Sequence, residues 1–186
     1  MKLHLGCGKR FLKGYKHVDY SNYKHVDYVS PIYPLSFIKD NSVSEIYCSH
    51  ALEYFDFDES INVLKEWFRC LNNRGTLRIS VPDFDSLLEV YTMNNNDIDS
   101  VIGPIFGKWP INEDLKIYHK TVFTKSKLTK ILSSSGFREI ESWDPLKFFG
   151  NRSDSFDDYS KAYFPHMDFK NGFSISINFI AKAIKN

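Results

Sequence analysis

The stretch that decides the expected fold is Leu3–Ser21, which reads LHLGCGKRFLKGYKHVDYS. It begins with a short predicted strand that stops at two glycines, Gly6 and Gly8, and a second predicted strand ends at Asp19. The connection between the two strands is close to the lower limit of about 10 to 12 residues for a crossover between parallel strands. The sequence therefore predicts a parallel sheet whose first crossover is shortened.

Strands and helices alternate through most of the remaining chain. VSEIYCS at Val43–Ser49 predicts a strand, and Asp56 with Glu59 forms a capping box for the helix after it. TLRISV at Thr76–Val81 predicts another strand, and Thr124 is positioned to cap a later helix. This alternation predicts one domain over residues 1–186, with a mainly parallel sheet and flanking helices.

Three local features lead to more specific expectations. The hexapeptide YKHVDY occurs at Tyr15–Tyr20 and again at Tyr23–Tyr28, and each copy predicts a short strand around its valine. The run Asn72–Gly75 is expected to stop the first helix. Arg78 is unexpected in a strand that should be buried on both faces.

Composition limits the function classes. The chain has 186 residues, 42% of them hydrophobic and 25% charged, which is typical of one soluble domain. A net charge of +1 without a basic patch argues against a nucleic-acid partner. Three scattered cysteines predict a reducing, cytoplasmic setting and no metal site. The opening MKLHLGCG has no cationic leader, and no apolar run reaches about 18 residues, so we expect neither export nor membrane insertion.

The residues that follow the predicted strands indicate a nucleoside-like ligand, because ligands of open parallel sheets bind beyond the carboxyl ends of the strands. Gly6 and Gly8 allow the backbone to approach such a ligand closely, and Asp19 could accept hydrogen bonds from both ribose hydroxyls. A dinucleotide motif requires a third glycine where this chain has Phe11. NAD and NADP therefore rank below a ligand without a pyrophosphate.

Four segments in a fixed order carry a family resemblance: LHLGCGKRFLKGYKHVDYS, EIYCSHALEYF, LNNRGTLRISVPDF and HKTVFTKSKLTKILSSSGF. Together they resemble class I S-adenosylmethionine-dependent methyltransferases, specifically the small type 11-like group. The resemblance implies a Rossmann-like α/β fold with a seven-stranded-type sheet, S-adenosyl-L-methionine as cofactor and methyl transfer as activity.

The resemblance also implies roles for individual positions. The glycine loop matches the segment beside the methionine part of the cofactor, the acid after the second strand matches the ribose ligand, and the two residues after the fourth strand match the wall of the methyl-transfer site. These cofactor-binding candidates are Gly6, Cys7, Gly8, Asp19, Ser49 and His50. His50 is also the catalytic candidate, as a general base toward a hydroxyl acceptor.

The acceptor implied by the resemblance is a small molecule, with a sugar or polysaccharide precursor as one candidate. SHAL stands where nucleobase methyltransferases carry an NPPY-like segment, which disfavours DNA as substrate. Tyr54 replaces the histidine that usually follows Glu53, and Ser30 and Pro31 stand where an acid usually contacts adenine. Two alternatives stay open: a non-catalytic module that binds S-adenosylmethionine, and a nucleotide-dependent oxidoreductase.

Two stretches, 94–120 and 143–173, are candidate insertions on the substrate side. The second combines many aromatic residues with acids, which is compatible with a substrate lid, ordinary packing or a homodimer contact. Its aromatic residues are Phe148, Phe149, Phe156, Tyr159, Tyr163, Phe164 and Phe169.

Overall fold

The computed structural model describes residues 1–111, 114–150 and 157–185. The strands are β1 (Lys2–Leu5), β2 (Lys16–Asp19), β3 (Tyr28–Val29), β4 (Val43–Ser49), β5 (Leu71–Pro82), β6 (Lys108–Pro110), β7 (Lys116–Tyr118), β8 (Phe137–Ser142), β9 (Tyr163–Phe164), β10 (Phe173–Ser174) and β11 (Ser176–Ala183). The helices are α1 (Phe57–Cys70), α2 (Phe84–Met93), α3 (Ile102–Phe106), α4 (Lys125–Ser134) and α5 (Pro145–Phe149). Single 3-10 turns lie at Leu52–Tyr54, Ile98–Ser100 and Tyr159–Lys161.

The central sheet has seven strands in the order β3-β2-β1-β4-β5-β11-β8. All neighbouring pairs are parallel except those of β11, which runs antiparallel to both β5 and β8. This confirms the predicted α/β fold with its mainly parallel sheet. Residues 1–49 are all described and contain no helix, so the first crossover is a loop alone.

The predicted helix caps are present. Glu59 N–H donates to the Asp56 carboxylate at 2.8 Å and Asp56 N–H donates to the Glu59 carboxylate at 2.9 Å, which completes the capping box of α1. Thr124 accepts from Lys127 N–H and caps α4. Within the described ranges, every helix is too short or too polar to cross a membrane.

Two local predictions are wrong. The second YKHVDY copy is mostly a turn closed by Val26 N–H to the Tyr23 carbonyl, and only Tyr28 of it belongs to a strand. The run Asn72–Gly75 lies inside β5 and does not stop α1. The helix ends at Cys70 because the next residue, Leu71, already pairs with β4. The residue of the run Asn72–Gly75 that has a left-handed backbone is Arg74, at φ 61°.

One face of the sheet is apolar. Leu5, Ile46 and Ile79 point from β1, β4 and β5 to the same side and are fully buried there. Helices α1 and α4 cover this face and complete the larger hydrophobic core with side chains such as Trp67 and Leu132. Alternation along the strands places every second residue on this side.

The opposite face is polar. Tyr47 and Arg78 are paired across β4 and β5 and point away from the helices α1 and α4. Arg78 donates to Glu45 at 2.9 Å and lies over the Phe148 ring at 4.5 Å, which explains how this strand accommodates an arginine. Helix α5 and the turn Tyr159–Lys161 cover this face, so a polar sheet surface is buried by the C-terminal part of the chain.

Candidate functional site

Two adjoining cavities open at the carboxyl ends of the parallel strands. The first has a volume of about 280 Å³ and the second about 380 Å³. Four side chains belong to the walls of both cavities: His50, Tyr54, Trp109 and Tyr159. Such an edge is where open parallel sheets bind their ligands, and two compartments that share a wall suit two reactants.

The glycine loop after β1 forms one wall of the first cavity. Gly6 has a φ of 63°, and a Cβ there would lie 2.9 Å from the Cβ of Ala51, so this position excludes larger residues. Gly8 has a φ of 54°, and its nearest neighbour would be the Trp109 ring at 3.7 Å. A side chain at Gly8 would therefore extend into the cavity instead of the core.

Asp19 ends β2 and fixes the glycine loop. Its two carboxylate oxygens accept from Gly8 N–H at 2.7 Å and from Ser21 N–H at 2.8 Å. The side chain is nearly buried and lines the first cavity. Each carboxylate oxygen can accept a second hydrogen bond. The residue therefore clamps the loop, and its role toward a ligand hydroxyl stays a prediction.

Five of the six predicted cofactor-binding residues line the first cavity: Gly6, Gly8, Asp19, Ser49 and His50. Among the described residues, Cys7 is in the wall of neither cavity. Its thiol is buried with Sγ 3.8 Å from Nε2 of His25, and burial, aided by the charge of Asp19, raises its pKa to about 12. The Cys7 thiol is therefore protonated and buried within the glycine loop, and the role of this residue toward a cofactor stays a prediction.

His50 follows β4 with a φ of 50°, and both of its ring nitrogens face protein atoms. Nε2 lies 2.8 Å from the Ser176 hydroxyl, which itself donates to the Tyr159 carbonyl. Because that hydroxyl proton is already used, Nε2 must be the donor and Nδ1 carries the lone pair. Burial lowers the pKa of His50 to about 3, so the ring is neutral.

Glu53 lies behind His50 and was not predicted as a site residue. Its carboxyl is 1% exposed, and neither oxygen has a hydrogen-bond partner among the residues that the structure describes. The Oε1 atom is 3.6 Å from Nδ1 of His50 and 3.7 Å from Nε2 of His119. Burial raises the pKa of Glu53 to about 8. A buried carboxyl without hydrogen bonds is costly, which favours a functional reason for its presence.

His119 is the third member of this group. Its Nδ1 donates to the Pro104 carbonyl at 3.0 Å, so Nε2 has the lone pair and faces Glu53. Burial lowers the pKa of His119, with a smaller opposing effect of the backbone carbonyls. The ring packs directly on Gly107, where a Cβ would lie 2.2 Å from Nε2. The sequence offered no signal that joined His119 to His50 and Glu53, because His119 is far from both in the chain.

Asp158 organises the cover of the polar face and was also not predicted. Its Oδ1 accepts from the hydroxyls of Tyr47 at 2.6 Å and Ser49 at 2.7 Å, and from Ser160 N–H at 2.8 Å. Burial would raise the pKa of this carboxyl, but the hydrogen bonds from Tyr47, Ser160 and Ser49 outweigh it and lower the pKa. Asp158 is therefore an ionised anchor in the wall of the second cavity.

Comparisons with known proteins agree with this architecture. No family model matches the sequence, and no curated protein sequence matches it either. Among solved structures, an S-adenosylmethionine-dependent methyltransferase of Methanosarcina mazei has a TM-score of 0.56 at 14% identity, covering 100% of this chain and 92% of that chain. One of Archaeoglobus fulgidus has a TM-score of 0.54 at 17% identity, covering 97% and 85%.

A third structure is the 1,6-didemethyltoxoflavin-N1-methyltransferase of Burkholderia thailandensis, with its substrate and S-adenosylhomocysteine bound. Its TM-score is 0.55 at 13% identity, covering 99% of this chain and 71% of that chain. The chain has the fold of S-adenosylmethionine-dependent methyltransferases. At these identities the likeness establishes the fold and does not single out the type 11-like group.

In this methyltransferase fold, the two candidate insertions contribute to both cavities. Trp109 and Ile117 come from the β6–β7 pair and line the first cavity. In the second stretch, Phe148 and Phe149 pack on the polar face, whereas Tyr159 and Tyr163 line the cavities. The predicted lid residue Phe156 lies outside the described residues. The substrate-side roles of 94–120 and 143–173 stay predictions.

Proposed function

We propose that the chain is an S-adenosylmethionine-dependent methyltransferase that acts on a small-molecule acceptor. The observation that carries the proposal is Asp19, whose carboxylate holds the glycine loop through Gly8 N–H and borders the first cavity. A carboxylate at this position can accept the ribose hydroxyls of a nucleoside. Apolar side chains such as Ile32 and Phe55 in the same wall suit the adenine ring.

The remaining residues fit an in-line displacement. The cofactor supplies an activated methyl group on a sulfonium. In our proposal the first cavity holds the cofactor, the second holds the acceptor, and Tyr54, Trp109 and Tyr159 confine the space between them. Holding two reactants at attack distance contributes roughly 7 to 11 kcal/mol, whereas a general base contributes about 3 to 5 kcal/mol. Positioning by this wall is therefore the main catalytic contribution of the chain.

A base would assist transfer to a hydroxyl acceptor, such as that of a sugar or polysaccharide precursor, and we propose His50 for that role. Its presence in the wall of both cavities supports the assignment, and its low pKa keeps the ring neutral. Nε2 already carries a proton, so this nitrogen can act as a base only after the ring proton has moved to Nδ1.

Cofactor binding is tested first, with calorimetric titrations of S-adenosylmethionine, S-adenosylhomocysteine and NAD. We expect both sulfur ligands to bind and NAD not to bind. Asp19→Ala should weaken S-adenosylhomocysteine binding by about tenfold or more, since the ribose loses a charge-assisted acceptor. The matched control is Asp27→Ala. The Asp27 carboxylate also accepts a backbone N–H, that of His17 in β2, but it does not line the first cavity.

The outcomes separate the competing functions. Stronger binding of NAD than of either sulfur ligand would identify an oxidoreductase and end the proposal. Equal loss of affinity in both aspartate variants would remove Asp19 from the ribose site. Binding of S-adenosylmethionine without turnover over a broad set of hydroxyl and amine acceptors would favour the non-catalytic module.

A further inference from the structure

The side chains of His50, Glu53 and His119 form a buried group in which a carboxyl lies between two imidazoles. Two imidazole lone pairs face one carboxyl oxygen, because Ser176 fixes the tautomer of His50 and the Pro104 carbonyl fixes that of His119. No three His, Cys, Asp or Glu side chains in the described ranges are arranged to hold a metal ion. Neutral imidazoles and a buried carboxyl are instead compatible with one proton that resides on Glu53.

Glu53 lies next to the proposed methyl-transfer site although it is not in the cavity walls. His50, Ala51 and Tyr54, its neighbours in the chain, all line the first cavity. The titratable groups around the carboxyl are His50 after β4, His119 after β7, Tyr54 in the adjacent turn and Cys48 in β4. Burial keeps the protonated form of Cys48 and Tyr54, so these neighbours are neutral. In such surroundings a cation in the first cavity interacts strongly with the carboxyl.

We propose that Glu53 responds to the charge of the cofactor: its carboxyl is protonated beside the neutral thioether product and ionised beside the cationic sulfonium. This inference rests on the proposed function. It extends that function by explaining how His50 becomes a base. When Glu53 is ionised, the favoured tautomer of His50 has its proton on Nδ1, where it can be donated to the carboxylate. Nε2 then carries the lone pair, and the Ser176 hydroxyl turns from the Tyr159 carbonyl to donate to it until the acceptor hydroxyl takes that place.

The protons and bonds of the transfer step balance. The acceptor oxygen forms its bond to the methyl carbon, and the carbon–sulfur bond breaks with its electron pair remaining on sulfur. The proton of the acceptor hydroxyl goes to Nε2 of His50, and the Nδ1 proton passes to the Glu53 carboxylate. The site returns to a neutral imidazole protonated on Nε2 and a protonated carboxyl beside a thioether. Glu53 is therefore a positioning residue that acts through His50.

The test compares S-adenosylmethionine with S-adenosylhomocysteine in the absence of any acceptor. Calorimetric titrations in buffers of different ionisation enthalpy count the protons released on binding. With a pKa of about 8, Glu53 is about three-quarters protonated at pH 7.5, so the sulfonium ligand should release up to about that fraction of a proton. S-adenosylhomocysteine should release almost none. Glu53→Gln should abolish the difference between the two ligands.

The tautomer of His50 provides a second readout. Long-range proton–nitrogen spectra of histidine-labelled protein should show the proton on Nε2 with S-adenosylhomocysteine and on Nδ1 with S-adenosylmethionine. Glu53→Gln should show one tautomer with both ligands. The matched control is Glu59→Gln, because Glu59 is an exposed carboxylate of the same region and glutamine also supports a capping box. This control should behave as the parent.

Each outcome decides between the inference and the function on which it rests. If both ligands bind with equal proton release and the same His50 tautomer, the inference about Glu53 is wrong and the proposed function stands. If neither ligand binds, the proposed function is wrong and the inference fails with it. If Glu53→Gln unfolds, the ligand difference and the tautomer change in the parent protein still decide the question.

Discussion

The two faces of the central sheet are stabilised in different ways. On the side of α1 and α4, Leu5, Ile46 and Ile79 are packed into a core without charges. On the other side, Tyr47 and Ser49 donate hydrogen bonds to the carboxylate of Asp158. The stability of the first face depends on how apolar side chains fill the core, whereas that of the second depends on the ionised carboxylate of Asp158. Because the segment that covers the polar face also lines the cavities, the candidate site adjoins the face that we expect to respond to pH.

The largest expected effect is on the apolar face. Trp67 is fully buried in the core, and its indole N–H donates to the Ile32 carbonyl at 3.0 Å. Trp67→Ala should lower the free energy of unfolding by about 3 to 5 kcal/mol through the cavity that it leaves. Denaturant unfolding measures this, and the loss should be the same at pH 5 and pH 8. Trp67→Phe, which keeps most of the volume, should cost less. A loss that varied with pH would break the contrast between the faces.

On the polar face, Asp158→Asn should lower the free energy of unfolding by about 2 to 3 kcal/mol at neutral pH. The variant keeps the shape of the side chain and removes the charge that accepts three hydrogen bonds. Asp157→Asn is the matched control, because its neighbouring carboxylate is 87% exposed and should contribute little. Equal effects of the two substitutions would show that the buried anchor has no special role.

The effect of Asp158 should depend on pH in a defined direction. Its pKa in the folded chain lies below the ordinary value of 3.8, so the unfolded chain takes up a proton first as the pH falls. The stabilisation is therefore complete above the unfolded-state pKa and is lost as the pH drops through the folded-state pKa. Denaturant unfolding of the parent and of Asp158→Asn should converge below about pH 4. Curves that stay parallel in acid would contradict this origin of the stability.

Local sequence signals predicted the features that depend on neighbouring residues. The capping box of Asp56 and Glu59 and the position of Asp19 at the end of β2 were both confirmed. These features need only the spacing of a few residues along one element. The second YKHVDY copy failed for the opposite reason, because its conformation is set by the edge of the sheet and by the Asp27 carboxylate, which accepts from His17 N–H.

The parts of the site that were missed come from distant segments. Glu53 and His119 meet only because the backbone N–H groups of Lys120 and Thr121 donate to the Glu53 carbonyl. Asp158 reaches β4 from the far end of the chain. No spacing rule joins such positions, because only contacts between distant segments of the folded chain bring them together. The sequence therefore predicted residues that line the first cavity but not the buried group of His50, Glu53 and His119.

The smallest expected effect concerns the link between the glycine loop and the cover of the polar face. Arg10 Nε donates to the Asp157 carbonyl, and the guanidinium lies over the Tyr159 ring at 4.6 Å. The ion pair of Arg10 with the exposed Asp157 carboxylate, at 3.9 Å, and the cation–π contact are together worth about 1 kcal/mol or less. Arg10→Ala should therefore leave the free energy of unfolding nearly unchanged and loosen only the segment that carries Tyr159.

Hydrogen exchange distinguishes this local effect from a global one. Lys161 N–H donates to the Asp158 carbonyl and Ala162 N–H to the Tyr159 carbonyl, so these amides report on the cover of the polar face. In Arg10→Ala their exchange should accelerate by about fivefold, the equivalent of about 1 kcal/mol of local opening, while the amides of α1 keep the rates of the parent. Accelerated exchange in α1 as well would mean that the two faces open together. Unchanged exchange at Lys161 and Ala162 would mean that Asp158 alone holds the cover in place and that Arg10 only shapes the cavity.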